Sequence, residues 1–224
     1  MLLRPLASFI GRTAERELLR SALRGHPLVT LVGPPGVGKT RLAVETARGL
    51  EKEFGERRWF VDLAPVTVTD LVASTVLSSI DAPTRGGEAI GDIVRYLESK
   101  PALLLLDNCE HLQGCVAEVA VALLGRCDGL RILVTSRSEL HVDGERVVGI
   151  APLDTTMAPG QEPDATRLFY DRATARGAEL HRDDTEIGKV TSICAQLDGL
   201  PLAIELAASR ARVVSLSDLD ELLA

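Results

Sequence analysis

Apolar residues along this chain follow two patterns that alternate with each other. Short runs that are apolar on both faces, such as residues 28–32 and 102–106, predict strands of a parallel sheet covered on both sides. Other segments, such as residues 13–23, have apolar residues at helical spacing. In chain order, the predicted elements are a helix over 13–23, a strand over 28–32, a helix over 39–50, a strand over 57–63, helices over 69–80 and 88–97, a strand over 102–106, a helix over 111–124, and strands over 130–135 and 146–150. This alternation predicts an α/β fold with a parallel sheet.

The pattern changes after residue 150. Prolines and a glycine at Pro152, Pro159, Gly160 and Pro163 favour a linker. Beyond them no strand pattern is evident, and the periodicity predicts helices over 165–176, 185–197, 201–213 and 217–222. We therefore predict an α/β domain over residues 1–151, a linker over 152–164 and a small all-α domain over 165–224.

Residues 33–40 read Gly-Pro-Pro-Gly-Val-Gly-Lys-Thr, directly after the first predicted strand and directly before a predicted helix. Such a loop lets backbone amides turn inward around a phosphate, and the helix brings its positive end to the same point. Lys39 would reach the β- and γ-phosphates, and the Thr40 hydroxyl would help to hold Mg²⁺. An ordinary Gly/Pro turn is the alternative. The setting favours nucleotide binding.

Asp107 follows a run of four leucines, at the carboxyl end of a predicted central strand. Ligands of open α/β sheets bind at this end, so Asp107 is a candidate Mg²⁺ residue, with capping of the next helix as the alternative. Many P-loop ATPases carry an acid directly after the Mg²⁺ carboxylate, where it can accept a proton from the attacking water. Asn108 occupies that position here, and its amide cannot accept a proton. Glu110 is the nearest candidate for positioning water, or else a helix-start carboxylate. We therefore expect slow hydrolysis.

Two further positions are candidates on weaker grounds. Arg137 ends the strand over 130–135 and could bind a γ-phosphate through its guanidinium, unless it is an ordinary surface arginine. Pro201 lies in Gly199-Leu200-Pro201-Leu202, at the start of a predicted helix. Proline is common in the first turn of a helix, so helix preferences alone favour a structural role for Pro201.

Composition narrows the function classes. A net charge of −7 gives no basic excess that would drive binding to nucleic acid. The four cysteines show no metal-ligand spacing, so buried free thiols in a reducing compartment are the better interpretation. Neither a secretory signal nor a membrane span is evident. These features predict a soluble, cytoplasmic protein without direct nucleic-acid or membrane contacts.

Five motifs in the same order resemble those of the STAND class of signalling P-loop ATPases, the NB-ARC-like nucleotide-binding oligomerisation domains. The motifs start at Phe9, Gly33, Leu103, Leu133 and Gly199, and together they cover nearly the whole chain. The match is best to the domains of bacterial transcriptional regulators of the antibiotic-regulatory and LuxR type. The resemblance implies a P-loop sheet of order 5-1-4-3-2 followed by a small helical domain.

The resemblance also implies roles by position. Ile10, Gly11 and Arg12 would lie at the adenine and ribose of ATP or ADP, Arg137 would sense the γ-phosphate, and Pro201 would pack on the adenine. The implied nucleotide-binding set is Ile10, Gly11, Arg12, Pro35, Gly36, Val37, Gly38, Lys39, Thr40, Arg41, Arg137, Pro201 and Leu202. The candidate catalytic set is Lys39, Asp107, Glu110 and Arg137, and the candidate Mg²⁺ set is Thr40 and Asp107.

Family members usually continue into a winged-helix domain and repeats that receive a signal, and neither follows here. We therefore expect an excised module of a larger regulator, or a short protein that relies on partners. The favoured function is an ATP/ADP switch with slow hydrolysis, able to form an ATP-dependent homo-oligomer and to act on effector and sensor domains. The alternatives are a remodelling-type ATPase and a nucleotide-independent interaction module.

Overall fold

The structure is a computed structural model that describes residues 2, 6–98, 100–158 and 160–223. Its internal contacts divide the chain into two compact units. The first unit contains Thr13–Gly33 and Lys39–Ile150. The second unit contains Leu6–Arg12, Pro34–Gly38 and the residues from Ala151 onward.

A parallel sheet of five strands forms the centre of the first unit. The strands are β1 (Leu28–Val32), β2 (Arg58–Asp62), β3 (Ala102–Asp107), β4 (Leu130–Ser136) and β5 (Glu145–Gly149). Their order across the sheet is β2-β3-β4-β1-β5, and every pairing is parallel. This is the predicted order 5-1-4-3-2 read from the other edge. The prediction that the strand before Arg137 lies between the strands of the phosphate loop and of Asp107 is therefore confirmed.

Helices of the first unit are α1 (Thr13–Gly25), α2 (Lys39–Arg48), α3 (Glu51–Phe54), α4 (Leu71–Ser79), α5 (Ala89–Leu97) and α6 (Gln113–Leu124), with a 3₁₀ turn at Cys109–His111. The helix predicted over 39–50 ends early, at Arg48, because Gly49 follows it and glycine favours helix ends. Strand β3 is buried along its whole length, which explains its apolar run.

The second unit is helical, with α7 (Asp164–Ala175), α8 (Asp184–Gln196), α9 (Pro201–Arg210) and α10 (Leu216–Leu223). Its own core includes the fully buried Phe169, Ile193 and Ile204. Asp183 caps α8, since its side chain accepts a hydrogen bond from the backbone amide of Glu186. None of the helices in the described part of the chain combines the length and apolar character needed to cross a lipid bilayer.

Candidate functional site

Two glycines shape the loop between β1 and α2. Gly36 and Gly38 have φ angles of +76° and +94°, in the region that residues with a Cβ rarely adopt. The loop therefore turns sharply just before the first residue of α2, Lys39. Gly38 is a glycine that the loop motif specifies, whereas Gly36 falls at a position that the motif leaves open.

Lys39 points back along this loop. Its ammonium group donates a 2.9 Å hydrogen bond to the backbone carbonyl of Gly33. Burial lowers the pKa of Lys39, while the nearby carboxylate of Glu110 opposes this shift and the Arg137 guanidinium adds to it. The Lys39 ammonium therefore lies within electrostatic reach of both Glu110 and Arg137, in a partly desolvated place where an anionic ligand would be favourable.

Thr40, Asp107 and Thr135 form a hydrogen-bonded group at the carboxyl edge of the sheet. Both hydroxyl groups donate to the same carboxylate oxygen, Oδ1 of Asp107, from 2.7 Å for Thr40 and 2.5 Å for Thr135. The Thr135 hydroxyl also accepts a 3.1 Å hydrogen bond from the backbone amide of Asn108. The end of β3, the end of β4 and the start of α2 therefore meet at one carboxylate.

Burial raises the pKa of Asp107, and the hydrogen bonds from Thr135 and Thr40 partly offset that rise. Asp62, its partner in the β2–β3 register, and Glu110 raise it further. A carboxylate in this setting is stabilised by a cation. Hydroxyl and carboxylate oxygens are the ligands that Mg²⁺ prefers, and Mg²⁺ binds few protein groups while keeping several waters. Thr40 and Asp107 therefore fit the predicted Mg²⁺ role.

Glu110 and Arg137 are also brought together. Nε of Arg137 donates to Oε1 of Glu110 across 3.2 Å. Asn108, just after β3, has a left-handed conformation with a φ of +60°, and its amide donates to Oδ2 of Asp107 at 3.3 Å. This conformation begins the tight turn that carries Glu110. All four residues of the candidate catalytic set lie in the first unit.

In the second unit, the Arg12 guanidinium contacts backbone carbonyls. One terminal nitrogen donates to the carbonyls of Val37 and Ala151, each at 3.0 Å. The Arg12 backbone amide donates to the Asp164 carboxylate at 3.3 Å. A Cβ on the preceding Gly11 would lie 1.9 Å from that carboxylate, so glycine is required there. These contacts hold the loop at Val37, and the nucleotide contact expected of Arg12 stays a prediction.

The start of α9 contacts the phosphate loop within the second unit. The backbone amide of Leu202 donates to the carbonyl of Gly36 at 3.1 Å. Pro201, the first residue of α9, lies close to Gly38, where an added Cβ would be 3.9 Å from the proline ring. These contacts satisfy a backbone amide that a helix start leaves unpaired.

Three other residues of the predicted nucleotide-binding set, Ile10, Pro35 and Arg41, lie in different environments. Ile10 packs against the helical core of the second unit, and it lines a cavity of about 540 Å³ together with Tyr170. Pro35 is exposed in the loop turn. Nε of Arg41 lies 4.0 Å from the carboxylate of Glu45, one helical turn further along α2. For these three residues the structure gives positions, and their nucleotide contacts stay predictions.

Sequence reasoning missed Thr135 and Asp164. Thr135 is buried near the end of β4. The sequence signal for it was a hydroxyl residue directly after an apolar run predicted to be a buried strand, since buried polar groups need hydrogen-bond partners. Asp164 lies at the first position of α7, where an acid has an ordinary role at the helix start. Nothing in the local sequence indicates that its partner is 152 residues away.

Comparison with known proteins relates this geometry to a family. Residues 12–147, more than half of the chain, match the NB-ARC domain. An uncharacterized protein of Mycobacterium tuberculosis is 39% identical over 213 residues, and the match covers 95% of this chain and 53% of that protein. A second M. tuberculosis protein, provisionally named as an HTH-type transcriptional regulator, is 39% identical over 198 residues, or 88% of this chain and 22% of that protein.

A solved structure shares the fold. It is a signal transduction ATPase with numerous domains and a tetratricopeptide repeat sensor, from Pyrococcus horikoshii, with a TM-score of 0.63 and 16% identity. The match covers 99% of this chain and 33% of that one. This chain thus spans between about a fifth and about half of the curated relatives described above. From the match over residues 12–147, the chain belongs to the NB-ARC domain family.

Proposed function

We propose that this chain is a nucleotide-dependent switch that binds ATP or ADP with Mg²⁺ and hydrolyses ATP slowly. One observation carries the proposal. Thr40 and Asp107 are 67 residues apart in sequence, yet their oxygens meet at 2.7 Å. Lys39, the residue before Thr40, has its ammonium group on the carbonyl of Gly33. An ammonium group that could bind phosphate and two oxygen groups that could bind Mg²⁺ therefore support the proposal.

The proposed division of labour follows from the chemistry of these groups. The amides of residues 36–40 and the Lys39 ammonium would bind the phosphates, and Arg137 would contact a γ-phosphate. Thr40 and Asp107 would hold Mg²⁺, which neutralises phosphate charge when bound. Ile10 and Pro201 would contact the base. ATP and ADP differ only in the γ-phosphate, so a change of state must come from groups that contact it.

Slow hydrolysis is proposed because of Asn108. Its side chain donates to Asp107 and cannot accept a proton from water. Glu110 is the nearest carboxylate that could orient water, and it is paired with Arg137. Phosphate-loop switches that act without a partner protein hydrolyse GTP at about 10⁻⁴ to 10⁻² per second. We expect this chain to fall within that range.

The regulator context is part of the same proposal. The M. tuberculosis relative named as an HTH-type transcriptional regulator is much longer than this chain, which matches 22% of it. We propose that this module acts with effector and sensor domains, in one polypeptide or in separate ones, in the cytoplasm where ATP is abundant. ATP-dependent self-association would be the output of the switch.

Thermal melting and turnover test the proposal together. Saturating ADP or ATP with Mg²⁺ should raise the melting temperature, because a ligand that binds only the folded state stabilises it. Hydrolysis should stay below about 10⁻² per second. Many turnovers per second would favour a remodelling ATPase. No melting shift with either nucleotide would favour a nucleotide-independent interaction module.

A further inference from the structure

The ion pair between Glu110 and Arg137 is built unlike a structural salt bridge. Only Nε of Arg137 bonds to Glu110 within the described part of the chain, at 3.2 Å, and both terminal nitrogens of the guanidinium remain available. The Arg137 side chain is 61% exposed. An exposed pair held by one hydrogen bond contributes little to folding.

The other oxygen of Glu110 has an unusual environment. Oε2 is buried, and no hydrogen-bond donor within the described residues contacts it. A buried carboxylate oxygen without a donor is unfavourable, so this arrangement is not optimised for the stability of the chain. It leaves a carboxylate that holds Arg137 through one oxygen while the second oxygen is unsatisfied.

The pair lies near the groups proposed to hold phosphate. Glu110 and Arg137 both act electrostatically on Lys39, and the effect of Glu110 on it is larger than that of Asp107. Glu110 also acts on Asp107. The Glu110 carboxylate is therefore an anion of the protein itself within electrostatic range of Lys39 and Asp107, two residues of the proposed nucleotide site.

We propose that Glu110 sets the preference between ATP and ADP by competing with the γ-phosphate for Arg137. This inference rests on the proposed function and adds a role to the same site. With ADP or no nucleotide, Glu110 neutralises Arg137. With ATP, the terminal nitrogens of Arg137 bind phosphate oxygens, which offer a bidentate partner, and Glu110 is released. The cost of breaking the pair reduces ATP affinity and leaves ADP affinity unchanged.

Glu110→Gln tests this competition because it keeps the shape and weakens the hold on Arg137. Binding would be measured by calorimetry with Mg²⁺, using ADP and the non-hydrolysable analogue with an imido group between the β- and γ-phosphates. We expect E110Q to tighten analogue binding about 1.5- to fivefold, the range of an exposed ion pair, with ADP binding unchanged. Glu118→Gln, an exposed glutamate of α6, is the matched control and should change neither affinity.

A double-mutant cycle separates competition from a general charge effect. Removing a negative charge near the phosphates would, by itself, tighten the binding of both nucleotides. In the competition account, the effect of E110Q on analogue binding disappears in an Arg137→Ala background, because no guanidinium remains to be released. The proposal is overturned if E110Q changes the affinities for both nucleotides equally or changes neither affinity. It is also overturned if E110Q still tightens analogue binding in the R137A background. If the unsubstituted protein binds neither nucleotide, the proposed function itself fails.

Discussion

The hydroxyl group of Thr40 donates a 2.7 Å hydrogen bond to Oδ1 of Asp107, joining the first turn of α2 to the end of β3. The same oxygen accepts the hydroxyl of Thr135 from β4. Three separate elements therefore converge on one buried carboxylate whose pKa burial raises. A carboxylate that is costly to ionise in the folded protein, and that has hydroxyl oxygens beside it, is suited to binding a cation.

Asp107→Asn removes the buried charge and keeps an oxygen that can accept both hydroxyl groups. We expect the nucleotide-free variant to melt at a higher temperature than the unsubstituted protein, because losing the buried charge outweighs losing the weak 3.3 Å hydrogen bond from Asn108. The same variant should lose the Mg²⁺ dependence of nucleotide binding. Differential scanning calorimetry with and without Mg²⁺ and ADP measures both effects. A lower melting temperature without nucleotide would contradict the assigned electrostatics.

The effect of Asp107 should depend on pH in a defined direction. Because the folded-state pKa of Asp107 is raised, ionisation costs folding free energy at pH values above it, and the cost disappears as pH falls below the ordinary value of about 4. We therefore expect the stability advantage of D107N to narrow as pH is lowered from about 7 towards 4.5. Urea unfolding of both proteins across this range measures the difference, and an advantage that widened at low pH would refute the sign.

Thr135→Val tests the residue that sequence reasoning missed. The substitution keeps the buried shape, but it removes a donor to Asp107 and the acceptor for the backbone amide of Asn108. We expect a loss of about 1 to 3 kcal/mol in unfolding free energy, the usual cost of buried groups left without a partner. Thr135→Ser is the control that retains the hydroxyl, and it should keep most of the hydrogen-bond contribution. Equal losses for both variants in urea titrations would mean that packing dominates.

Arg12→Met removes the donor to the carbonyls of Val37 and Ala151 while keeping a long side chain. Unpaired carbonyls should lower the unfolding free energy by about 1 to 3 kcal/mol. Since the loop would bind phosphates that ADP and ATP share, both affinities should weaken by the same factor. Arg126→Met, at an exposed arginine, is the control. Selective loss of ATP binding would show that Arg12 contacts the γ-phosphate instead.

Gly36→Ala places a methyl group in the loop at a φ of +76°, and its Cβ would lie 3.1 Å from Cβ of Leu202. We expect a loss of about 1 to 2 kcal/mol in stability from the left-handed conformation, together with weaker nucleotide binding. Gly91→Ala is the matched control within α5, where an added Cβ meets nothing within 4 Å. That control should gain about 0.5 to 1 kcal/mol from helix propensity. Thermal melting of both variants shows whether the melting temperature falls for Gly36→Ala and rises for Gly91→Ala.

Local patterns were enough to predict most of the fold. Buried strands such as β3 show an uninterrupted apolar run, and Gly36 and Gly38 in the loop have positive φ angles, which glycine adopts readily. The strand order came from the resemblance, because periodicity says which residues form strands and not which strands are neighbours. The convergence of Thr40 on Asp107 followed from both lying at the carboxyl edge of one sheet.

Other features depend on contacts that no local pattern encodes. The Arg12 guanidinium donates to the carbonyls of Val37 and Ala151, which are 25 and 139 residues away in sequence, so no local pattern indicates these partners. The pairing of Glu110 with Arg137 likewise depends on the left-handed turn at Asn108. Such side-chain partners are set by tertiary geometry, which a motif positions only approximately.

Calorimetric titration of nucleotide-free protein with Mg²⁺ and ADP measures whether the loop before α2 binds a nucleotide through Lys39, with Lys39→Ala and the exposed-lysine control Lys52→Ala measured alongside. We expect one ADP site per chain in the unsubstituted protein and in K52A. K39A should show no measurable binding while keeping its far-ultraviolet circular dichroism. Unchanged ADP affinity in a folded K39A protein would show that the loop does not bind the nucleotide as proposed.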